Sequence, residues 1–117
     1  MNWQSLTLLN HLDQLEQESK IRPILIFKHS TRCSISSAAL ARLERKWKLD
    51  DPVEVSAYYL DLISYREISN EISSRFSVDH QSPQAIMIYN GAVIYEASHL
   101  GISYDEIALH VQEAAGT

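Results

Sequence analysis

Residues 23–36 read PILIFKHSTRCSIS, and this stretch decides the fold. Its first part, Pro23 to Phe27, is a continuous apolar run of the kind that forms a central strand covered on both faces. We predict a polar turn at residues 28–32, after which Cys33 begins a helix over residues 33–49. Residues at helical spacing mark the buried face of that helix: Ser36, Leu40, Leu43 and Trp47.

The segments on either side of this unit continue the alternation of helices and strands. Leucines at i, i+4 and i+7 predict an amphipathic helix over residues 6–19, and Trp3 before it suits a short strand. Asp50–Pro52 ends the helix that follows Cys33, and the alternation from Val53 to Tyr59 predicts a second strand. The leucines of the first helix are Leu8, Leu12 and Leu15.

The third helix should begin at Ser64, which together with Glu67 has the spacing of a capping box. The expected buried stripe of this helix is Tyr65, Ile68, Ile72 and Phe76.

The last part of the chain predicts a hairpin followed by a helix. Ala85–Tyr89 and Ala92–Ala97 have strand composition, and Asn90-Gly91 between them tolerates the positive φ angles of a type I′ turn. Ser103 and Glu106 form a second capping box at the start of the last helix. The resulting element order, α-β-α-β-α-β-β-α, predicts an α/β fold of thioredoxin-like type. We expect a mixed sheet of four to five strands with helices on both faces.

Composition restricts the function classes. The 117 residues suit a single domain over 1–117, and 45% hydrophobic residues suffice for a core. No apolar run approaches the length that spans a bilayer, and no signal peptide is evident, so we expect a cytoplasmic protein with no membrane partner. A net charge of −5 disfavours nucleic-acid binding. The charge is uneven, because residues 20–48 hold eight basic residues and one acidic residue.

Cys33 is the only cysteine and the strongest candidate for chemistry. A helix N-terminus carries a partial positive charge and unpaired N–H groups, which stabilise a thiolate and lower the pKa of a thiol. The alternative is that Cys33 is a buried, inert small hydrophobe. The strand–turn–helix context favours a reactive thiol, because open sheets place their sites at the carboxyl ends of strands.

Other residues are candidates for support of that thiol. Ser36 completes a C-x-x-S pattern, in which its hydroxyl can donate to the thiolate or accept from a helix N–H. Ser82-Pro83 precedes the third predicted strand, where a thioredoxin-like fold has a cis proline that faces the cysteine. His29 and His99 are candidates for proton transfer. A zinc site that includes His29 and Cys33 has no closed ligand spacing.

Residues 26–36 resemble the active-site signature of the YtxJ family, the monothiol bacilliredoxins. The family pattern F-K-H-S-T-R-C-P-I-S matches from Phe27 to Ser36 except that Ser34 replaces the proline, which would pre-set the first helical turn. The resemblance extends to Ser82-Pro83-Gln84, the Asn90-Gly91 hairpin and residues 98–101.

The resemblance implies thiol exchange with bacillithiol, a small thiol that carries a malate group. Cys33 would be catalytic, taking bacillithiol from protein mixed disulfides, and a second thiol or a separate thiol reductase would regenerate it. S-thiolated proteins and bacillithiol would be the partners, with no bound cofactor or metal. The implied substrate-binding residues, of which Lys28 and Arg32 would attract carboxylates, are Lys28, His29, Ser30, Thr31, Arg32, Ser36, Ser82 and Pro83.

Two other function classes stay open from the sequence. One is a non-catalytic thioredoxin-fold binding or adaptor module in which Cys33 is inert. The other is a metal or iron–sulfur carrier in which Cys33 and an external thiol bridge two chains.

Overall fold

The computed structural model describes residues 3–49 and 55–115, so the predicted helix end at Asp50–Pro52 and the start of a strand at Val53 lie outside the described residues. Strands and helices alternate along the described chain until the final hairpin. The strands are β1 (Gln4–Ser5), β2 (Ile24–His29), β3 (Ser56–Asp61), β4 (Gln84–Tyr89) and β5 (Ala92–Ser98). The helices are α1 (Asn10–Glu18), α2 (Ser34–Leu49), α3 (Arg66–Phe76) and α4 (Tyr104–Ala115), and a 3-10 turn spans His99–Gly101.

The strands form one mixed sheet in the order β1-β3-β2-β4-β5. β1, β3 and β2 run parallel, as crossover connections through α1 and α2 require. β4 runs antiparallel to β2, and the hairpin adds β5 antiparallel to β4. The predicted α/β architecture of thioredoxin-like type is therefore confirmed, with five strands in the described part of the chain.

β2 lies at the centre of the sheet, and all six of its residues are buried. Because successive side chains of a strand point to opposite faces, β2 contributes to two separate cores. Ile24 and Ile26 pack with residues of α1 and α3, whereas Leu25 and Phe27 pack with residues of α2 and α4. A strand covered in this way explains the continuous apolar run of the sequence.

Local signals near the end of the chain are confirmed. Asn90 and Gly91 have φ angles of 56° and 75°, as the hairpin turn requires. The Ser103 hydroxyl accepts the Glu106 N–H at 3.4 Å and caps the start of α4.

The start of the first helix was predicted wrongly. Residues 6–9 do not belong to α1, because the Leu6 N–H donates to the Tyr59 carbonyl and extends the pairing of the first strand. Leu8 therefore lies outside the buried stripe and is 56% exposed, whereas Leu15 is fully buried. The His11 Nδ1 accepts the Leu8 N–H at 3.3 Å, just before the helix begins.

Two other boundaries also differ from the prediction. Ser64 is not the cap of α3, because Asp61 at the end of β3 accepts both its N–H and its hydroxyl, and α3 begins after Tyr65. Lys28 and His29 do not form a turn: β2 runs through both, paired with β3 and β4. The first error arises because Asp61, three residues earlier, competes for the Ser64 hydroxyl. The second arises because neighbouring strands supply the backbone hydrogen bonds at the end of β2.

None of the helices in the described residues has the length and apolar character needed to span a membrane.

We expect Leu15→Ala to lower the free energy of unfolding by about 2–5 kcal/mol, because it leaves a cavity in a closed core. Leu8→Ala is the matched control, since Leu8 shares the sequence pattern but is exposed, and it should change stability by less than about 0.5 kcal/mol. Urea unfolding of the two variants measures the difference. Equal losses would contradict the observed start of α1.

Candidate functional site

The candidate site lies at one edge of the sheet, which we call the site edge: the carboxyl ends of β2 and β3 and the amino end of β4. The strand register defines it, because Lys28 pairs with Gln84 on one side and His29 pairs with Asp61 on the other. Carboxyl ends of neighbouring parallel strands are where open α/β sheets place their ligands.

Cys33 lies at this edge, directly before the first residue of α2. It is a free thiol and partly exposed. Its N–H donates to the Ser30 carbonyl at 3.1 Å, which closes a turn over residues 30–33, and its carbonyl accepts the Ser37 N–H at 3.1 Å. The backbone of Cys33 is thus held on both sides, and its side chain stands at the positive end of a 16-residue helix.

Ser36 is fully buried, and its hydroxyl is engaged with the loop before Cys33. Its Oγ lies 2.6 Å from the Nδ1 of His29 and accepts the Ser30 N–H at 3.1 Å. The predicted partners of this hydroxyl, the thiolate or a helix N–H, are therefore replaced by two others: His29 at the end of β2 and the N–H of Ser30 in the loop.

His29 is buried at the end of β2 and lies among aromatic rings. Its ring centroid is 5.6 Å from that of Tyr59 and 6.2 Å from that of Phe27. Burial lowers the pKa of His29, and the negative charges of Asp61 and Glu44 partly oppose this shift. The imidazole is consequently neutral at neutral pH.

Lys28 points to the opposite face of the sheet and is also fully buried. Its ammonium donates to the Ser69 carbonyl at 3.3 Å and to the Ser73 hydroxyl at 3.4 Å, and it lies 3.4 Å from the Nδ1 of His80. Burial lowers the pKa of Lys28 from its usual 10.5 to about 8. The predicted contact of Lys28 with carboxylates of a ligand does not agree with this placement, because the ammonium is directed into α3.

Gln84, the cross-strand partner of Lys28, is the second buried polar residue beneath the site edge. Its amide nitrogen donates to the Asp79 carbonyl at 2.9 Å and to Glu96 at 3.0 Å, and its amide oxygen accepts the Gln81 N–H. Lys28 and Gln84 together hold the loop that leads into β4.

That loop carries Ser82 and Pro83, joined by a cis peptide bond as the sequence predicted. Pro83 is buried, and the register places it one step beyond the Lys28–Gln84 pair, opposite the end of β2. Its carbonyl accepts the N–H of His99, whose φ of 54° turns the chain out of β5. The buried Ser82 Oγ has no hydrogen-bond partner within the described residues.

Thr31 and Arg32 are exposed on the turn before Cys33, and Ser30 is half-buried. Of the two cations predicted beside the thiol, only Arg32 is presented to solvent. Two basic residues later in α2 serve another region: Arg42 and Lys46 line a groove of about 350 Å³ between α2 and the start of α4, and Arg42 donates to the Ile102 carbonyl at 2.8 Å. Neither Cys33 nor Pro83 lines that groove.

Within the residues that the structure describes, no group of three or more His, Cys, Asp and Glu side chains is arranged to hold a metal ion.

The family model for "Monothiol bacilliredoxin BrxC" matches residues 4–107. The chain belongs to the monothiol bacilliredoxin family. The match includes the whole site edge, the turn before Cys33 and the cis-proline loop. Ser34, which replaces a proline of the family pattern, is the first residue of α2.

Solved structures agree with the fold of this bacilliredoxin. One is a protein proposed to be an oxidoreductase with a thioredoxin fold, at 27% identity over 91% of this chain and 90% of that chain, with a TM-score of 0.76. Thioredoxin from Schistosoma mansoni has 14% identity, coverage of 96% and 94%, and a TM-score of 0.71. Thioredoxin from Fasciola hepatica has 18% identity, with coverage of 94% of this chain and 97% of that chain, and a TM-score of 0.67. Family and fold together support a function of the thiol oxidoreductase type.

Several residues of the bacilliredoxin site were missed from the sequence. Asp61 and Tyr59 beside His29 could have been found, since polar residues at the end of the second parallel strand must reach the same edge. His80 gave no signal, and Gln84 appeared only as the last residue of the Ser82-Pro83-Gln84 segment, because the roles of both depend on the buried ammonium of Lys28 and on the path of a loop.

We expect the stability of this bacilliredoxin to rise with pH between about 8 and 9.5 because of Lys28. Its folded-state pKa is lowered to about 8, so in this window the unfolded chain binds a proton that the folded chain does not, and raising the pH favours folding. The gain should be about 1–2 kcal/mol, since each unit of pKa difference is worth 1.36 kcal/mol and solvent screens part of it.

Lys28→Met removes the titrating group and is the comparison for this prediction. Urea unfolding of both proteins between pH 7.5 and 9.5 measures the slope, below the range in which the raised pKa of Tyr58 acts in the opposite sense. The same slope in Lys28→Met would mean that the rise does not come from Lys28.

Proposed function

We propose that this bacilliredoxin is a monothiol thiol-disulfide oxidoreductase that removes bacillithiol, or a similar small thiol, from protein mixed disulfides. One observation carries the proposal: the single cysteine is a partly exposed free thiol at the start of α2, while the residue three positions later is a buried serine. Family membership and the thioredoxin-like fold support the same chemistry.

The exchange needs one nucleophilic sulfur. The Cys33 thiolate attacks the small-thiol sulfur of a mixed disulfide, a new disulfide forms between Cys33 and the small thiol, and the protein thiolate leaves and takes a proton from water. Cys33 is oxidised by this step and the substrate cysteine is reduced. Since Ser36 has no sulfur, an external thiol or a separate thiol reductase attacks the Cys33 disulfide and restores the thiol.

The surroundings of Cys33 suit such a substrate. Arg32 is exposed on the turn and can attract the carboxylates of an anionic small thiol, whereas the buried Lys28 does not take this role. Ser82 lies at the site edge, directly before the cis proline, and its backbone can pair with an extended segment of the protein substrate in the manner of an added strand. Thr31 is exposed on the same turn, and Cys33 is itself partly exposed.

We expect Cys33→Ser to abolish small-thiol release, because the chain has no second sulfur nucleophile. Ser36→Ala should lower the rate about tenfold, since it removes two hydrogen bonds that hold the loop before Cys33. Ser37→Ala, at the next and exposed position, is the matched control and should act like the wild type. Release from a bacillithiolated protein is followed by mass spectrometry.

Release at the wild-type rate by Cys33→Ser would refute the catalytic role of the thiol. Wild-type protein that neither releases a small thiol nor takes one onto Cys33 would instead favour the adaptor function. The same mass spectra test both outcomes, because each transfer of a small thiol to or from Cys33 changes the mass of the protein.

A further inference from the structure

A chain of hydrogen bonds leads from the imidazole of His29 to the backbone of Cys33. The Nδ1 of His29 lies 2.6 Å from the Ser36 Oγ, and the same oxygen accepts the Ser30 N–H at 3.1 Å. The Ser30 carbonyl then accepts the Cys33 N–H at 3.1 Å. The position of the reactive residue is thus fixed through Ser36 by a histidine four positions earlier in the chain.

The hydroxyl at the centre of this chain has only one proton. Because the Ser30 N–H occupies an acceptor site of the oxygen, the direction of that proton depends on His29. A bare Nδ1 accepts the proton, whereas a protonated Nδ1 donates to the oxygen and releases the hydroxyl proton to another acceptor. When the neutral imidazole carries its proton on Nε2, protonation of His29 therefore reverses the polarity of its bond to the Ser36 hydroxyl.

The groups around His29 define when this reversal occurs. Tyr59 and Asp61 face it from β3, Ser36 and the more distant Glu44 belong to α2, and Phe27 lies beside it on β2. Burial lowers the pKa of His29 while Asp61 and Glu44 raise it in part. Protonation and the reversal of the bond are then confined to acidic pH.

We propose that His29 is a positioning residue for Cys33, acting through the Ser36 hydroxyl and the turn over residues 30–33. The proposal rests on the thiol-exchange function proposed above and assigns a role within the same site. His29 does not touch the substrate, because it is buried beneath the turn. Its contribution is to hold the thiol in one orientation, which an in-line attack on a disulfide requires.

Two amide substitutions separate positioning from mere packing. His29→Asn places an amide near the position of Nδ1 and can keep the bond to Ser36, whereas His29→Gln places the amide near Nε2 and cannot. The rate of Cys33 alkylation by iodoacetamide is measured from pH 5 to 9 for the wild type and both variants. Thermal unfolding confirms that each variant is folded, and the release assay is run in parallel.

We expect His29→Asn to alkylate within about threefold of the wild type at neutral pH, and His29→Gln to be about five- to tenfold slower, as for one lost hydrogen bond. The wild-type profile should show a second inflection at acidic pH from His29, and the profile of His29→Asn should fit a single titration. Equal rates for Asn and Gln, or the same profile for the wild type and His29→Asn, would overturn the proposal. Alkylation needs no disulfide substrate, so its outcome is independent of whether the release assay supports the proposed function.

Discussion

The site depends on one constraint: β2 is buried along its whole length, yet its last two residues are polar. Lys28 and His29 point to opposite faces of the sheet. An unsatisfied buried polar group costs about 1–3 kcal/mol, so each residue must find hydrogen bonds in a different layer. Lys28 finds them in α3 and at His80, and His29 finds them in the first turn of α2. These contacts hold the two loops of the site edge against the sheet: the turn before Cys33 on the His29 side, and the loop that leads into β4 on the Lys28 side.

The hydrogen bonds of Lys28 and those of His29 differ in their electrostatics. The ammonium of Lys28 donates to the Ser69 carbonyl and the Ser73 hydroxyl and lies 3.4 Å from the Nδ1 of His80, and these contacts offset part of the cost of burying a charge. His29 avoids that cost by staying neutral, since burial lowers its pKa. Gln84, beside Lys28, is likewise a buried polar residue without a charge, and it makes hydrogen bonds to both Asp79 and Gln81. Loss of any one partner leaves a buried polar group unsatisfied, so the loops are held more firmly than loops of this size that contact only solvent.

Elements specified by neighbouring residues could be predicted from the sequence. The apolar run of β2, the Asn90-Gly91 turn and the Ser103 cap depend on local chemistry, and all three are confirmed. The buried position of Leu8 failed because it required knowledge of what another strand offers, whereas the Ser64 cap failed because a carboxylate three residues earlier competes for the Ser64 hydroxyl. Asp61 takes the hydroxyl of Ser64, and Tyr59 takes the N–H of Leu6 and delays the helix.

In the candidate site too, features specified by nearby residues could be predicted, whereas those that depend on distant parts of the chain could not. Cys33 at the start of a helix and the cis bond before Pro83 could be predicted, since both follow from element order and a motif. The direction of Lys28 could not, because a lysine after an apolar run is usually at the surface. Only the pairing of β2 on both sides, which extends the strand by two residues, places the ammonium inside the protein.

A serine at the third position after the cysteine does more than remove a second sulfur. Its hydroxyl is committed to His29 and Ser30, so it is not available to stabilise a leaving group on Cys33. In the proposed function, a disulfide formed on Cys33 persists until an external thiol attacks it, because the described site holds no second sulfur. The turnover that we propose for the site therefore depends on a partner thiol, and the Ser36 hydroxyl serves instead to hold the turn before Cys33.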